Sequence, residues 1–524
     1  MANNGDISIL LISFQEDLDI IGLKSLHLNL LKESYNSCLL HLPNYDHDNV
    51  EKVRAIREFI LKLTPALIGM SLMSMHYQKA AHLTGVLKRE FPSLPILWGG
   101  THPTVSPEMS LDHADFVCIG EGEQVILDCA DRLKSGSSLY SVNNLAYKRN
   151  GAIQRNELYP AIQELDEVFL FAQNPPATFI EMKDQIIPLT SEVIRKNSRN
   201  RGITYNTMSS KGCPFSCTYC CNNFFNRLYN TRKTRRRSVS VVMDEIERVV
   251  REDSTIKYIN FLDDCFLACS AEYLKEFCTL YSARIKKPFI IRTIPTYVTD
   301  EKILSLKKAG LTWVNLGLES GSDRTNKEIY KRGSSRKDFL RAAGIINKFN
   351  LASFYDVMLD NPFETNEDRM WTVDTIVEAP RPFYPMLYSL TFFYGSEIYE
   401  RALKECPDRI ENPLDKNILG YAKNTINTLT RMAAFLDKKR MVRLLGIYKR
   451  NEQSLSFKIT LFYYKMLSAF IYEPFSYFRV VRLANNGSIM ETVKELRYYF
   501  KSGIKKYLNQ FLGPGIHSIS GKKR

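Results

Sequence analysis

The sequence predicts an α/β protein in three parts. These are a doubly wound, Rossmann-like N-terminal domain, a partial TIM-like barrel of six βα units, and a helical, basic C-terminal region. Three observations carry this reading. Short apolar runs alternate with helical patterns over residues 1–140, the same rhythm resumes at Ile203, and past residue 410 the strands stop while Lys and Arg accumulate. The boundaries fall at 1–140, a proline-punctuated linker 141–200, the barrel 201–410, and the helical region 411–524.

Taken in order, Ile7-Ser-Ile-Leu-Leu-Ile-Ser13 is the kind of short apolar run found in a buried parallel strand. Leu23, Leu26, Leu30 and Leu31 then share a helical face. Further strands are Leu67–Ser71, Ile96–His102 and Phe116–Glu123, with a helix near Gln78–Glu90. Ligands of doubly wound sheets sit at strand C-termini. Those ends here are rich in small residues: Gly69 and Ser71; Gly99, Gly100 and Thr101; Gly120, Glu121 and Gly122. Glycine permits positive φ and close backbone approach, although each loop alone also reads as an ordinary turn. His76 and His102 read as hydrogen-bonded structural residues. Pro160, Pro175, Pro176 and Pro188 mark the linker as irregular.

The barrel strands are Ile203–Met208, Tyr258–Asp264, Phe289–Thr293, Trp313–Ser322, Ala352–Leu359 and Met386–Phe393. Ser238 or Ser240 is placed to cap the helix Val241–Val250. Asp263 and Asp264 end the second strand, where neighbouring side chains point to opposite faces, so only one can enter the barrel. Directly after the first strand comes Lys211-Gly-Cys-Pro-Phe-Ser-Cys-Thr-Tyr-Cys-Cys-Asn222. Thiolates are the usual ligands of iron–sulfur clusters, which normally take four. Cys213, Cys217 and Cys220 supply three, leaving one iron open. Cys221 points elsewhere because it adjoins Cys220. A zinc loop or a buried cysteine cluster is the plainer alternative, but zinc sites close four positions with paired spacings.

C-x3-C-x2-C with Tyr219 before its last cysteine resembles the signature of the radical S-adenosylmethionine (SAM) superfamily. The resemblance implies a 4Fe-4S cluster whose open iron binds SAM and cleaves it to a 5′-deoxyadenosyl radical. Gly317-Leu-Glu-Ser-Gly-Ser322, with Arg332-Gly333 downstream, resembles the fourth-strand element and implies SAM contacts for Glu319 and Ser320. Asp263-Asp264 resembles the family's second-strand acidic pair, which implies a place for Asp264 near SAM or substrate and for Tyr219 beside the cluster. Asp360-Asn-Pro-Phe-Glu-Thr365 lies where relatives have Gly-Leu-Pro-Gly-Glu-Thr, with both glycines missing. Tyr394-Gly-Ser396 is similar to the closing Pro-Gly-Thr loop.

Ahead of this motif, the glycine loops resemble the cobalamin-binding domain of cobalamin-dependent radical SAM enzymes. They imply cobalamin contacts at Gly69, Ser71, Gly99, Gly100, Thr101, Gly120, Glu121 and Gly122. Many such domains carry D-x-H-x-x-G, whose His ligates cobalt; here Asp17-Leu-Asp-Ile-Ile-Gly22 puts Asp19 in its place, so no lower His ligand is expected. The implied activity is methylation of an unactivated carbon on a small-molecule or lipid-like substrate. Cyclisation, rearrangement or another oxidation stays open, with a first domain that has kept its fold and lost the corrin. The implied partner is an electron donor such as flavodoxin or ferredoxin.

Eleven cysteines and no apolar run of membrane-spanning length point to reduced thiols and a cytoplasmic protein. The net charge of +14 is unevenly placed: Tyr421–Arg524 holds 20 Lys and Arg against 5 Asp and Glu, leaving residues 1–420 close to neutral. That region reads most plainly as a helical bundle over the barrel mouth with a solvated basic face. The sharper reading is a basic, aromatic surface that meets anionic membrane at its periphery or an acidic substrate. No nucleic-acid-binding module is present in the sequence.

Overall fold

A computed structural model describes residues 7–198, 202–414 and 420–496. The first domain is one sheet of nine strands: β1 (Ser8–Ser13), β2 (Asn36–His41), β3 (Leu67–Ser71), β4 (Ile96–Gly99), β5 (Phe116–Cys118), β6 (Leu145–Arg149), β7 (Ala152–Arg155), β8 (Thr178–Met182) and β9 (Gln185–Pro188). Their spatial order is β7-β6-β5-β4-β3-β1-β2-β8-β9. Strands β5 to β2 of that order are parallel and β8 joins them in the same sense. The remaining strands pair antiparallel at the edges. Because β1 has β2 on one side and β3 on the other, the chain reverses its winding direction there, opening a crevice beyond their C-terminal ends.

Helices cover both faces, so successive residues of one strand enter different cores. Leu10 and Ile12 pack with Ile68, Met70, Ile96 and Trp98, whereas Ile9 and Leu11 pack with Leu39, Leu67 and Leu97. This explains why β1 reads as an unbroken apolar run.

Residues 141–200, expected to be a linker, correct that reading in part, because they contribute β6 to β9. These edge strands expose Lys148, Arg149, Gln154 and Arg155, so no apolar alternation announced them. Only 156–177 wraps between domains. Ser25 Oγ and Asn29 Nδ2 donate to the Val168 carbonyl (3.1 and 2.6 Å), while Phe169 and Phe171 enter the barrel core.

The second domain holds β10 (Thr204–Thr207), a small ribbon of β11 (Ser210–Lys211) and β12 (Arg235–Arg236), then β13 (Tyr258–Phe261), β14 (Phe289–Thr293), β15 (Leu311–Glu319), β16 (Ala352–Leu359) and β17 (Tyr384–Ser389). Six parallel strands in the order β10-β13-β14-β15-β16-β17 make the partial barrel. Phe261, Ile291, Leu316 and Val357 pack against the surrounding helices. The alternate positions, Asn206, Asn260, Arg292, Asn315 and Asp356, face the lumen.

Among the described residues past 420, the helices include Thr425–Phe435, Lys438–Arg450, Leu455–Leu467 and Glu473–Ala484. The last lies under the N-terminal ends of the barrel strands rather than over the cofactor mouth, with Val480, Val481 and Ala484 on Trp313 and Ala352. Trp313 and Phe354, stacked at 4.6 Å, are large apolar groups that need this cover. Residues 497–524, the end of the expected basic region, lie outside the described residues.

Candidate functional site

The glycine loops and the cysteine loop meet across one half-open cavity of about 420 Å³. One wall is the crevice of the first sheet: Gly69 and Ser71 after β3, Gly99 to Thr101 after β4, and Gly120 to Gly122 after β5, over Leu11, Leu23, Leu26, Leu97, Val125 and Ile126. The opposite wall comes from the barrel and includes Lys211, Gly212, Asn222, Tyr229, Arg235 and Asp264.

Two glycines in this cradle are required by geometry. Gly100 has φ +94°, and a Cβ there would stand 2.9 Å from the Leu72 carbonyl oxygen. Gly120 has φ +86°, and its Cβ would stand 2.1 Å from the Tyr229 hydroxyl, which accepts a hydrogen bond from the Glu121 amide at 2.7 Å. A rim of backbone and small side chains over an apolar floor fits a large flat ring bearing amides.

Glu121 lines this cavity with its backbone, while its carboxylate clamps the two domains together. Arg235 donates to it twice (2.6 and 3.0 Å), Lys211 lies at 3.2 Å, and the Ile162 amide donates at 2.9 Å. Burial opposes ionisation, but Lys211 and Arg235 outweigh it and hold Glu121 at about 2. Glu123 takes a further 2.8 Å bond from Lys211. Lys211 is two residues from Cys213, so the clamp couples the cradle directly to the cysteine loop.

Asp19, standing where a cobalt ligand would, turns away from the cavity. It accepts a hydrogen bond from Asn206 Nδ2 at 2.8 Å and lies 3.8 Å from the buried Lys24. No histidine is among the residues lining the cavity. His102 is buried, with Nδ1 3.1 Å from Ser74 Oγ and its ring against Tyr77 and Tyr394; burial pushes it down to about 4.

At the cysteine loop, Cys213 and Cys217 are buried and Cys220 is half-buried, whereas Cys221 is exposed and begins the helix Cys221–Leu228. Burial pushes the Cys213 thiol up to about 12 and raises Cys217 against the pull of Arg332. In Cys220 the hydrogen bond with Cys221 and burial both favour the protonated form. A metal bound here would have to displace the protons of these thiols. Among the described residues no three His, Cys, Asp or Glu groups converge on a single-ion site. A cluster needs no such convergence, because its thiolates bind separate irons, and the donor set fits one.

Above the loop, Arg332 is buried and satisfied on every side. It donates to Tyr219 Oη (2.8 Å), the Gly317 carbonyl (2.9 Å) and Ser334 (3.2 Å), and lies 3.3 Å from Glu319. Glu319 follows an irregularity in the pairing of β15 with β16 and has φ +61°. Burial raises its carboxyl to about 7, Arg332 opposing and Asp356 adding to the rise. Ser320 is fully buried, and its hydroxyl donates to Glu364 at 2.7 Å. Asp263 and Asp264 lie past the end of β13, which stops at Phe261 rather than at the expected Asp264, and it is the loop that separates them. Asp263 accepts from Ser209 N (2.9 Å) and Ser209 Oγ (2.6 Å), while Asp264 opens into the cavity. Asp360 takes φ +59°, the conformation a glycine would hold, with hydrogen bonds from the Ala422 amide (2.8 Å) and Asn427 (2.6 Å) keeping it there.

Sequence reasoning missed Tyr229 and Arg235, which no motif marks, and the lumen set Arg292, Asp356 and Tyr388. The latter three occupy alternating positions on their strands, a signal visible in the sequence. Arg292 is exposed, and its side chain makes no hydrogen bond or ion pair among the described residues, while Tyr388 Oη lies 3.4 Å from Asp356.

Residues 7–130 match the B12 binding domain and residues 207–376 the radical SAM superfamily. An uncharacterized methyltransferase of Pyrococcus horikoshii is 26% identical over 66% of this chain and 72% of its own. An anaerobic magnesium-protoporphyrin IX monomethyl ester cyclase of Rubrivivax gelatinosus is 27% identical over 75% of this chain and 72% of its own. In fold, the chain is similar to the radical SAM methyltransferase TsrM of Kitasatospora setae (TM-score 0.60, 16% identity, 76% of both chains). It is also similar to the cobalamin-dependent radical enzyme OxsB (TM-score 0.59, 17% identity, 97% of this chain and 72% of that one).

Proposed function

Because this chain is a radical SAM enzyme with an N-terminal B12-binding domain, we propose that it methylates an unactivated carbon of a small-molecule or lipid-like substrate. The observation that carries this reading is the single cavity with the glycine cradle on one wall and Lys211, Gly212, Asn222 and Asp264 on the other. Methyl transfer needs both cofactor sites to open onto the same space, and a first domain kept only for its fold has no such need.

Bound at these positions, cluster and SAM supply hydrogen abstraction and cobalamin supplies a transferable methyl group. The protein's part is holding and orienting. Cys213, Cys217 and Cys220 would hold three irons, and Arg332, itself anchored on Tyr219, fixes the Glu319 carboxylate, which would accept from the SAM ammonium. Ser320 secures the turn behind Glu319 through Glu364. Asp264 faces the shared space, where it can accept a hydrogen bond from SAM or substrate. The clamp of Glu121, Lys211 and Arg235 sets the separation of the two walls. A small electron-transfer protein such as flavodoxin or ferredoxin serves as reductant.

The test is anaerobic reconstitution with iron, sulfide and hydroxocobalamin, followed by assay for 5′-deoxyadenosine and S-adenosylhomocysteine. Both products are expected. Deoxyadenosine alone, with corrin bound, would exclude methyl transfer and favour cyclisation, the activity named for the Rubrivivax gelatinosus relative.

A further inference from the structure

We propose that the C-terminal helices dock the enzyme on the surface of an anionic lipid bilayer. On the helix Leu455–Leu467, the residues Leu455, Ile459, Phe462, Tyr463 and Met466 are all exposed. At 100° per residue they fall within a sector of roughly 100°, the width of an amphipathic stripe. The stripe faces solvent. Its opposite side, Phe457 and Tyr464, supplies the contact with the rest of the protein. Phe470, Ile471 and Phe475 carry the exposed apolar side on through a wide helical turn, with Phe462 and Phe470 66% and 68% exposed. A contiguous face of this kind on a water-soluble surface marks an interaction site.

Charge identifies the occupant. Between Leu455 and Ala484 the basic residues Lys458, Lys465, Arg479 and Arg482 are all exposed. The one acid, Glu473, is buried and bonded by Arg431 at 2.6 and 2.8 Å. Residues 497–524 add seven Lys and Arg and no acid. A second copy of this face, or that terminal segment folded back on it, would bring like charges together; a bilayer carrying anionic headgroups neutralises the rim and buries the stripe. Among the described residues no helix is long and apolar enough to cross a membrane, so the contact is interfacial. The helix Glu473–Ala484 underlies the N-terminal ends of the barrel strands, so docking leaves the cofactor cavity at the far end of the barrel.

The inference is independent of the reaction catalysed, and its test reads binding alone. Full-length protein is floated with phosphatidylcholine vesicles and with vesicles that also contain phosphatidylglycerol. Flotation is expected only with the latter, weakened by added salt, and reduced about tenfold or more in the Phe462→Ser/Phe470→Ser variant, whose iron content and circular dichroism stay unchanged. Wild-type protein that floats with neither vesicle overturns the proposal, as does flotation indifferent to the two substitutions. A concentration-dependent dimer dissolved by the same substitutions, without vesicle binding, assigns the face to a second copy and equally overturns it.

Discussion

The two walls of the cavity are built on opposite principles. The first-domain wall is mainly backbone, glycine and aliphatic side chains, and its two carboxylates, Glu121 and Glu123, are taken up by Arg235 and Lys211 of the barrel. The barrel wall carries Lys211, Asn222, Arg235 and Asp264, while the cysteine triad and the Glu319–Arg332 pair belong to the same domain without lining the cavity itself. One side is shaped to admit a bulky neutral ligand through backbone and small side chains, and the other is charged to bind and orient. The difference teaches that the two sides should fail differently when altered: the cradle through shape, the barrel wall through chemistry.

The largest expected effect is at the cysteine loop. Cys217→Ala should reduce deoxyadenosine formation to background while hydroxocobalamin binding, followed by absorbance, persists; loss of both would break the separation of the walls.

Next comes the clamp, where charged side chains of the two walls pair. Glu121→Gln leaves the buried Arg235 without its carboxylate, while Lys211 keeps Glu123, at a cost of about 3 kcal/mol. The pH dependence has a definite sign. Glu121 is held at about 2 in the folded protein, below the roughly 4.3 of an unfolded glutamate, so it contributes about 3 kcal/mol that is full above about pH 4.5 and vanishes as pH falls through about 2. Denaturant melts of wild type should show this acid loss, and E121Q melts should lack it.

In the cradle, Gly120→Ala forces a Cβ against Tyr229 at a positive φ. Corrin affinity should fall about a hundredfold with iron content intact, as strain and clash combine. Gly151→Ala is the control. It shares a positive φ (+77°) but meets nothing within 4 Å, so it should cost only about 1 kcal/mol of stability and leave corrin binding alone.

The smallest effect tests the charged side by pH. With the Glu319 carboxyl at about 7, its ionised fraction rises from roughly a tenth at pH 6 to nine-tenths at pH 8, so SAM should bind about tenfold tighter across that range. Equilibrium dialysis of SAM should show the rise, and Glu319→Gln should flatten it.

Much of this was legible because chemistry was concentrated in short stretches. The triad Cys213, Cys217 and Cys220, the glycine loops, and Gly317 to Ser322 each needed only local spacing to be read. Edge strands β6 to β9 were not legible, because exposed polar residues there erase the alternation on which strand reading depends. Asp360 in place of a glycine looked like a broken loop. Its positive φ is retained because Ala422 and Asn427, about sixty residues away in sequence, donate to its carboxylate.

By itself, then, the sequence determined a cysteine triad spaced as cluster ligands would be, the order of the two α/β domains, and the small residues at three strand ends, since these rest on residue type and near-neighbour spacing. Tertiary structure decided the rest. It turned Asp19 away from the cavity toward Asn206, and took the Glu121 carboxylate into a clamp. It placed the helix Glu473–Ala484 beneath the barrel and left the apolar stripe of Leu455–Leu467 facing outward. Each of these depends on a partner far along the chain, and only packing brings such partners within hydrogen-bond or van der Waals reach.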